Sequence, residues 1–209
     1  MRRLCSSYKL CTSTLPIKRY AIIYICCILL CFSSCKMDLN HAVRNLYGRK
    51  ISLTEDMKQV LSDTVIGYVD IDIPIKIIIN ADPRLCNSCF ANYYDMIVQY
   101  MKYLDSDSVK CVCIMEDIHK DVVQETMKTV QSESVLVLLD SNKTYLRTNS
   151  LEEYNNMLTC FLLDKNNRVV LVGDPLRSSS VRDLYDKNIK IMLENDGFVP
   201  KKNILKMKY

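Results

Sequence analysis

Two cysteines, Cys86 and Cys89, are separated by two residues and follow the most apolar strand-like run of the chain, residues 75–80. A helix-like stretch, residues 90–104, comes directly after the pair. The N-terminus of a helix carries partial positive charge and free N–H donors, which favour thiolate over thiol. Two sulfurs at this spacing can also bond to each other without strain. The pattern predicts reversible thiol–disulfide exchange, and a static structural disulfide is the alternative.

Four other side chains bear on that chemistry. Arg84 lies two residues before Cys86 and could stabilise its thiolate electrostatically. Cys111 and Cys113 alternate along a predicted strand, so both point to the same face of the sheet. Together with Cys160 they are expected to be small buried core residues, because cysteine is often a core hydrophobe. The alternatives are a redox relay through Cys111 and Cys113 and a third redox thiol at Cys160.

Metal ligands are scarce in this sequence. Cys86, Cys89 and His119 could imitate a copper-carrier site, but His119 falls at the start of a different predicted helix. The chain has two histidines, and the other, His41, lies far upstream. Sites for soft metals need several convergent Cys or His ligands. The sequence therefore predicts neither a resident metal nor a cofactor.

Hydrophobic periodicity predicts the elements that position the cysteines. Strands are expected at residues 50–53, 65–73, 75–79, 109–115 and 135–139. Helices are expected to start at Thr54, to cover 90–104 and 118–130, and to follow the cap Ser178. A hairpin is expected at 158–163 and 168–172. Alternating strands and helices predict a parallel sheet with helices on both faces. The hairpin adds antiparallel strands. The expected fold class is α/β with a mixed central sheet.

The first 34 residues resemble a bacterial lipoprotein signal. Five basic residues and no acid precede a thirteen-residue apolar stretch, 20–32, and Ser33 and Ser34 then lead to Cys35. That stretch is shorter than the roughly 17–25 residues that span a bilayer. We expect Cys35 to be lipidated and to become the mature N-terminus, which anchors the protein to a membrane of the cell envelope. An uncleaved membrane anchor is the alternative.

Removing this segment changes the charge and the cysteine count. The whole chain has 28 Lys and Arg against 24 Asp and Glu, and residues 35–209 have 23 against 24. The basic excess therefore belongs to the signal and predicts no nucleic-acid binding. We expect a signal at 1–34, a lead-in at 35–63, one domain at 64–196 and a basic tail at 197–209. The tail is expected to be a solvated end, with weak attraction to an anionic membrane as the alternative.

Several motifs together resemble the membrane-anchored thioredoxin-like oxidoreductases, and more closely the small thioredoxin-like (TlpA-like) lipoproteins of Bacteroidetes. These motifs are the Cys86-Asn87-Ser88-Cys89 site, a Gly-Arg-Lys-Ile lead-in at 48–51 and a Phe-Leu-Leu-Asp hairpin at 161–164. The resemblance covers roughly residues 48–193. It implies a thioredoxin-like fold for this chain.

The resemblance also implies roles for single residues. Cys86 would be the attacking thiol, exposed at the helix start, and Cys89 the resolving thiol one turn inside. Cys160 would lie near the pair. Leu158 occupies the position where active relatives have a cis-proline, and Leu85 stands where an aromatic residue is usual. The implied function is an envelope-anchored thiol–disulfide oxidoreductase acting on envelope protein thiols and disulfides, and the alternative is a non-enzymatic accessory lipoprotein that keeps the fold.

Overall fold

The computed structural model describes residues 39–53, 56–67, 71–82, 84–116, 120–130, 132–154 and 156–200. The predicted signal with Cys35, Thr54, His119 and the last nine residues of the predicted tail lie outside these ranges. Among the described residues, no helix combines the length and the apolar character that a bilayer span requires.

The described residues form a seven-stranded mixed sheet in the order β2-β1-β5-β4-β3-β6-β7. The three central strands β3, β4 and β5 are parallel, and every other pairing is antiparallel. The strands are β1 (Lys58–Val60), β2 (Val65–Ile66), β3 (Ile75–Asn80), β4 (Val109–Met115), β5 (Val135–Leu139), β6 (Phe161–Leu163) and β7 (Val169–Val172). The predicted parallel core with an added antiparallel hairpin is confirmed.

Helices cover both faces of this sheet. They are α1 (Leu39–Leu46), α2 (Asn87–Leu104), α3 (Lys120–Thr129), α4 (Thr144–Thr148) and α5 (Ser179–Leu193), with a 3₁₀ turn at Asn156–Thr159. The predicted cap of the last helix is confirmed, because Ser178 Oγ accepts the N–H of Val181 at 3.4 Å. A capping hydroxyl satisfies one of the N–H groups that the helix cannot pair internally.

Strand β3 lies at the centre and is buried on both faces, as its continuous apolar run predicts. Ile75, Ile77 and Ile79 pack into one hydrophobic cluster with α2, α3 and α5. Ile78 packs into a second cluster with α1 and α4. This buried centre fixes the point at which the chain leaves β3 toward the two cysteines.

The structure corrects three predicted elements in the N-terminal part of the chain. Residues 50–53 form only an isolated bridge, from Lys50 to Arg168. The stretch predicted to start a helix at Thr54 leads into strand β1, because pairing with β5 overrides local helix preference. The strand predicted at 65–73 is the two-residue β2, and residues 71–74 belong to no strand. Thus α1 and β1, both within the predicted lead-in, pack on the same sheet.

Helix α4 was not predicted from the sequence. A single side chain, that of Asp140, stabilises it. The Asp140 carboxylate accepts the N–H groups of Thr144 at 2.7 Å and Tyr145 at 2.9 Å. These bonds stabilise a five-residue helix that is too short to show a periodic pattern.

Candidate functional site

The cysteine pair lies where the chain passes from β3 into α2. Strand β3 ends at Asn80, and the N–H of Ala81 donates to the carbonyl of Ile114 at 2.8 Å. The N–H of Leu85 donates to the carbonyl of Asp82 at 3.0 Å, which closes a turn just before Cys86. Helix α2 begins at Asn87. The pair therefore lies at the carboxyl edge of the parallel strands.

Cys86 is the N-cap residue of α2. Its backbone is extended, with φ −68° and ψ 159°, and its carbonyl accepts the N–H of Phe90 at 2.8 Å. Its Sγ accepts the backbone N–H of Cys89 at 3.2 Å and lies 3.4 Å from Ser88 Oγ. A sulfur in this position occupies the place of a capping oxygen, so the helix N-terminus stabilises negative charge on it.

Cys86 and Cys89 form a disulfide, with their Cα atoms 5.1 Å apart. This separation lies within the range that disulfides adopt without backbone movement. Both residues are exposed to solvent. The predicted position of Cys89 behind Cys86 is therefore wrong: the buried face of α2 starts at Phe90, and Cys89 lies about 100° away from it around the helix.

The Arg84 guanidinium is paired with the Asp82 carboxylate and is not free to act on the cysteine sulfurs. Its guanidinium makes two hydrogen bonds to the Asp82 carboxylate, Nε to Oδ1 at 2.9 Å and Nη2 to Oδ2 at 2.7 Å. This hydrogen-bonded ion pair lowers the pKa of Asp82 to about 2. The Arg84 side chain is 85% exposed. Because its charge is largely offset by Asp82, Arg84 favours a Cys86 thiolate less than the sequence predicts.

Cys111, Cys113 and Cys160 are buried thiols in the cluster between the sheet and α2. Burial raises the pKa of all three, that of Cys113 to about 12, so they are protonated at neutral pH. Cys111 and Cys113 pair with Ile77 and Ile79 of β3. This environment fits the expected core role, and participation of Cys160 in redox chemistry stays a prediction.

The segment before β6 contains Leu158, which stands where the family resemblance implies a cis-proline. Leu158 and Thr159 are buried in the 3₁₀ turn, and the Asn80 side chain donates to Thr159 Oγ1 at 3.1 Å. No cis peptide bond occurs among the described residues. The turn is thus docked on the end of β3 by a side-chain hydrogen bond.

A buried acid, Asp174, was missed by sequence reasoning. It is 4% exposed and follows β7. Its Oδ2 accepts the hydroxyl of Tyr93 at 2.5 Å and lies 3.3 Å from Arg177 Nε, and its Oδ1 accepts the N–H of Leu176 at 2.8 Å. The Arg177 guanidinium lies 5.8 Å from the centre of the Tyr93 ring. We call Tyr93, Asp174 and Arg177 the proximal cluster.

The same three residue types meet again further along α2. The Tyr100 hydroxyl donates to Asp186 Oδ1 at 2.8 Å, and the Arg182 guanidinium lies 5.7 Å from the centre of the Tyr100 ring. We call Tyr100, Asp186 and Arg182 the distal cluster. Asp186 and Arg182 are both on α5 and are half-buried.

Among known proteins, no family model and no curated protein matches this sequence. Solved structures do match. A proposed protein disulfide isomerase from Bacteroides thetaiotaomicron superposes with a TM-score of 0.50 and 14% identity, covering 71% of this chain and 91% of its own. A proposed thiol:disulfide interchange protein DsbE from Chlorobium tepidum has a TM-score of 0.47 and 15% identity, covering 69% and 96%.

A thioredoxin-like protein from Bacteroides caccae has a TM-score of 0.46 and 14% identity, covering 69% of this chain and 50% of its own. At this level of identity the likeness concerns the fold. Together with the mixed sheet and its flanking helices, the match to the Bacteroides thetaiotaomicron structure shows a thioredoxin-like α/β fold, as the sequence predicts.

Proposed function

We propose that this protein is a thiol–disulfide oxidoreductase that works through Cys86 and Cys89. One observation carries the proposal: an exposed disulfide caps the N-terminus of an 18-residue helix, with Cys86 Sγ already accepting the N–H of Cys89. Reactive cysteines are found in electropositive, accessible surroundings, whereas structural cysteines are buried. The thioredoxin-like fold supports the same conclusion.

The reduced protein would begin with attack by Cys86. Its thiolate forms a bond to one sulfur of a substrate disulfide, and the other substrate sulfur leaves as a thiolate that takes a proton from water. The N–H of Cys89 and the neighbouring Ser88 hydroxyl favour the attacking charge on Cys86. Helix dipole and capping bonds lower thiol pKa at such positions.

Cys89 would then resolve the mixed disulfide. Its sulfur loses a proton and attacks Cys86 Sγ, which re-forms the Cys86–Cys89 bond and releases the second substrate sulfur as a thiolate. Two electrons pass from the dithiol to the substrate. The reverse sequence transfers a disulfide to a substrate dithiol, and an external thiol or disulfide completes either cycle. No cofactor or metal takes part in this scheme.

The proposed location is the cell envelope, with a lipid on Cys35 as the anchor and envelope protein thiols and disulfides as partners. The support is the sequence pattern around Cys35, which lies outside the described residues. Metabolic labelling with a fatty acid tests it: the natural sequence should incorporate label, and Cys35→Ser should not. Equal labelling of both would contradict the anchor without bearing on the redox chemistry.

A trapping experiment tests the redox function. Cys89→Ser keeps the attacking thiol and removes the resolving one, so it should accumulate mixed disulfides with envelope proteins. Cys86→Ser is the matched control, and Cys111→Ser controls for loss of an unrelated buried thiol. Absence of any mixed disulfide, with a reduction potential below about −300 mV, would indicate a structural bridge.

Failure to trap a mixed disulfide, with such a low reduction potential, would favour the accessory lipoprotein. Leu158, at the position where the family resemblance implies proline, is the observation on its side. A partner captured through Cys86 would instead name the substrate.

A further inference from the structure

We infer that the proximal cluster tunes the redox equilibrium of the cysteine pair: the Asp174 carboxylate destabilises the reduced, anionic pair, and Arg177 offsets part of that effect. This inference rests on the proposed redox function. Asp174 and Arg177 act through the field at Cys86 and Cys89 and contact no substrate, so they are positioning residues.

The topology brings Asp174 to the same edge of the sheet as the disulfide. Strand β6 is antiparallel to β3, and β7 is antiparallel to β6, so β7 runs in the direction of β3. Asp174 follows the end of β7 just as the cysteine loop follows the end of β3. Both therefore lie at the carboxyl edge.

Tyr93 connects the acid to the turn of α2 that carries the cysteines. It lies four residues after Cys89, and residues at this spacing are neighbours on one helix face. Long side chains on a helix lean back toward its N-terminus. The Tyr93 hydroxyl donates to the Asp174 carboxylate at 2.5 Å. The carboxylate therefore lies against the first two turns of α2.

The Asp174 carboxylate affects the buried thiols of the surrounding core. It raises the pKa of Cys111, Cys113 and Cys160, in each case after the larger effect of burial. Arg177 lies on the solvent side of this acid and is 44% exposed. Asp174 thus lies in a poorly solvated place, and Arg177 is its partly exposed ion-pair partner.

The sign of the expected effect follows from the charge of each redox state. The disulfide is neutral, whereas the reduced pair carries negative charge at the helix N-cap. A nearby carboxylate therefore favours the disulfide, and a nearby guanidinium favours the dithiol. A unit charge at roughly 10 Å in a medium with an effective dielectric constant near 20 changes such an equilibrium about tenfold.

The test is the equilibrium between the purified protein and glutathione redox buffers at pH 7. Two glutathione molecules reduce the disulfide to the dithiol and form one glutathione disulfide. We expect Asp174→Asn to shift this equilibrium threefold to tenfold toward the dithiol, where tenfold equals about 30 mV. We expect Arg177→Gln to shift it at least twofold toward the disulfide.

Asp186 of the distal cluster provides a matched control. Tyr100 lies eleven residues after Cys89, roughly 16 Å along the helix axis. Asp186→Asn removes the same charge as Asp174→Asn at that distance, and should leave the equilibrium within about 1.5-fold of the unchanged protein because solvent and salt screen it. Arg182 is not used as a control, because its Nε donates to the carbonyl of Pro175, next to Asp174, at 3.1 Å.

Opposite shifts for the two proximal variants, with no shift for Asp186→Asn, would support the inference. Shifts of the two proximal variants in the same direction, no shift in either, or an equal shift in Asp186→Asn would overturn it, because loss of packing alone has no reason to produce opposite signs. If Asp174→Asn does not fold, Arg177→Gln decides alone, since its side chain is half-exposed. A wild-type protein that does not equilibrate with glutathione at all would instead refute the proposed function.

Discussion

The proximal and distal clusters have the same chemistry in different surroundings. Each joins a tyrosine of α2 to an aspartate, with an arginine over the tyrosine ring. The two tyrosines are seven residues apart, which places them on the same face of the helix. They differ in the burial of the acid and in its distance from the disulfide. Residue type alone therefore does not decide what such a cluster can do.

Burial decides how many partners each acid needs. Asp174 accepts hydrogen bonds from Tyr93 and from the Leu176 N–H and lies beside Arg177. Asp186 accepts the Tyr100 hydroxyl and is half-buried, so water can solvate its second oxygen. A desolvated carboxylate without partners is costly, whereas a solvated one is not. The proximal cluster should thus stabilise the fold as a unit.

The largest expected difference between the clusters is the loss of the acid itself. Asp174→Ala leaves the Tyr93 hydroxyl and the Leu176 N–H without their acceptor, and should lower the free energy of unfolding by about 3 kcal/mol. Asp186→Ala should cost about 1 kcal/mol or less. Urea unfolding of the disulfide-bonded proteins measures both. Equal losses would show that burial does not distinguish the clusters.

Removal of one hydroxyl should give a smaller difference in the same direction. Tyr93→Phe keeps the ring under Arg177 but removes the hydrogen bond to a buried carboxylate, so we expect a loss of about 2 kcal/mol. Tyr100→Phe should lose roughly 1 kcal/mol, because water can replace its bond to Asp186. Thermal unfolding followed by circular dichroism tests the ranking. A larger loss for Tyr100→Phe would contradict it.

The exposed pair Asp82–Arg84 extends the comparison to a third acid–arginine contact. Its effect on stability should be the smallest of the three, because Arg84 is almost fully solvated. The pKa of Asp82 is lowered to about 2 in the folded protein. Its contribution should therefore be complete above pH 4 and be lost as the pH falls toward 2.

Comparison of Arg84→Gln with the unchanged protein by urea unfolding at pH 7 and at pH 2 tests this window. The two proteins should differ at pH 7 and converge at pH 2. A difference that persists unchanged at pH 2 would show that Arg84 acts through something other than Asp82.

The sequence predicts this molecule best where local pattern and burial agree. The apolar run of β3 is buried on both faces, Ser178 caps its helix, and the cysteines lie at the start of α2, all as predicted. In these places a short stretch of sequence contains both the recognisable pattern and the residues that produce the local structure.

Prediction was weaker where the deciding partner is distant or unpatterned. Tyr93 and Asp174 are 81 residues apart in sequence, and an acid between Gly173 and Pro175 shows no periodicity. The only available signal was an acid directly after an apolar strand, at the edge that carries the cysteines. Arg84 was assigned to the wrong partner because its contact with Asp82 depends on side-chain orientation, which spacing does not determine.

Exposure of Cys89 has a consequence for the order of electron transfer in the proposed reaction. A thiol of lower pKa is the better leaving group in exchange reactions. An incoming reductant that attacks Cys89 Sγ therefore expels Cys86, whose negative charge the helix N-cap stabilises. Electrons would enter through Cys89 and leave through Cys86, so the donor and the acceptor need not compete for the same sulfur.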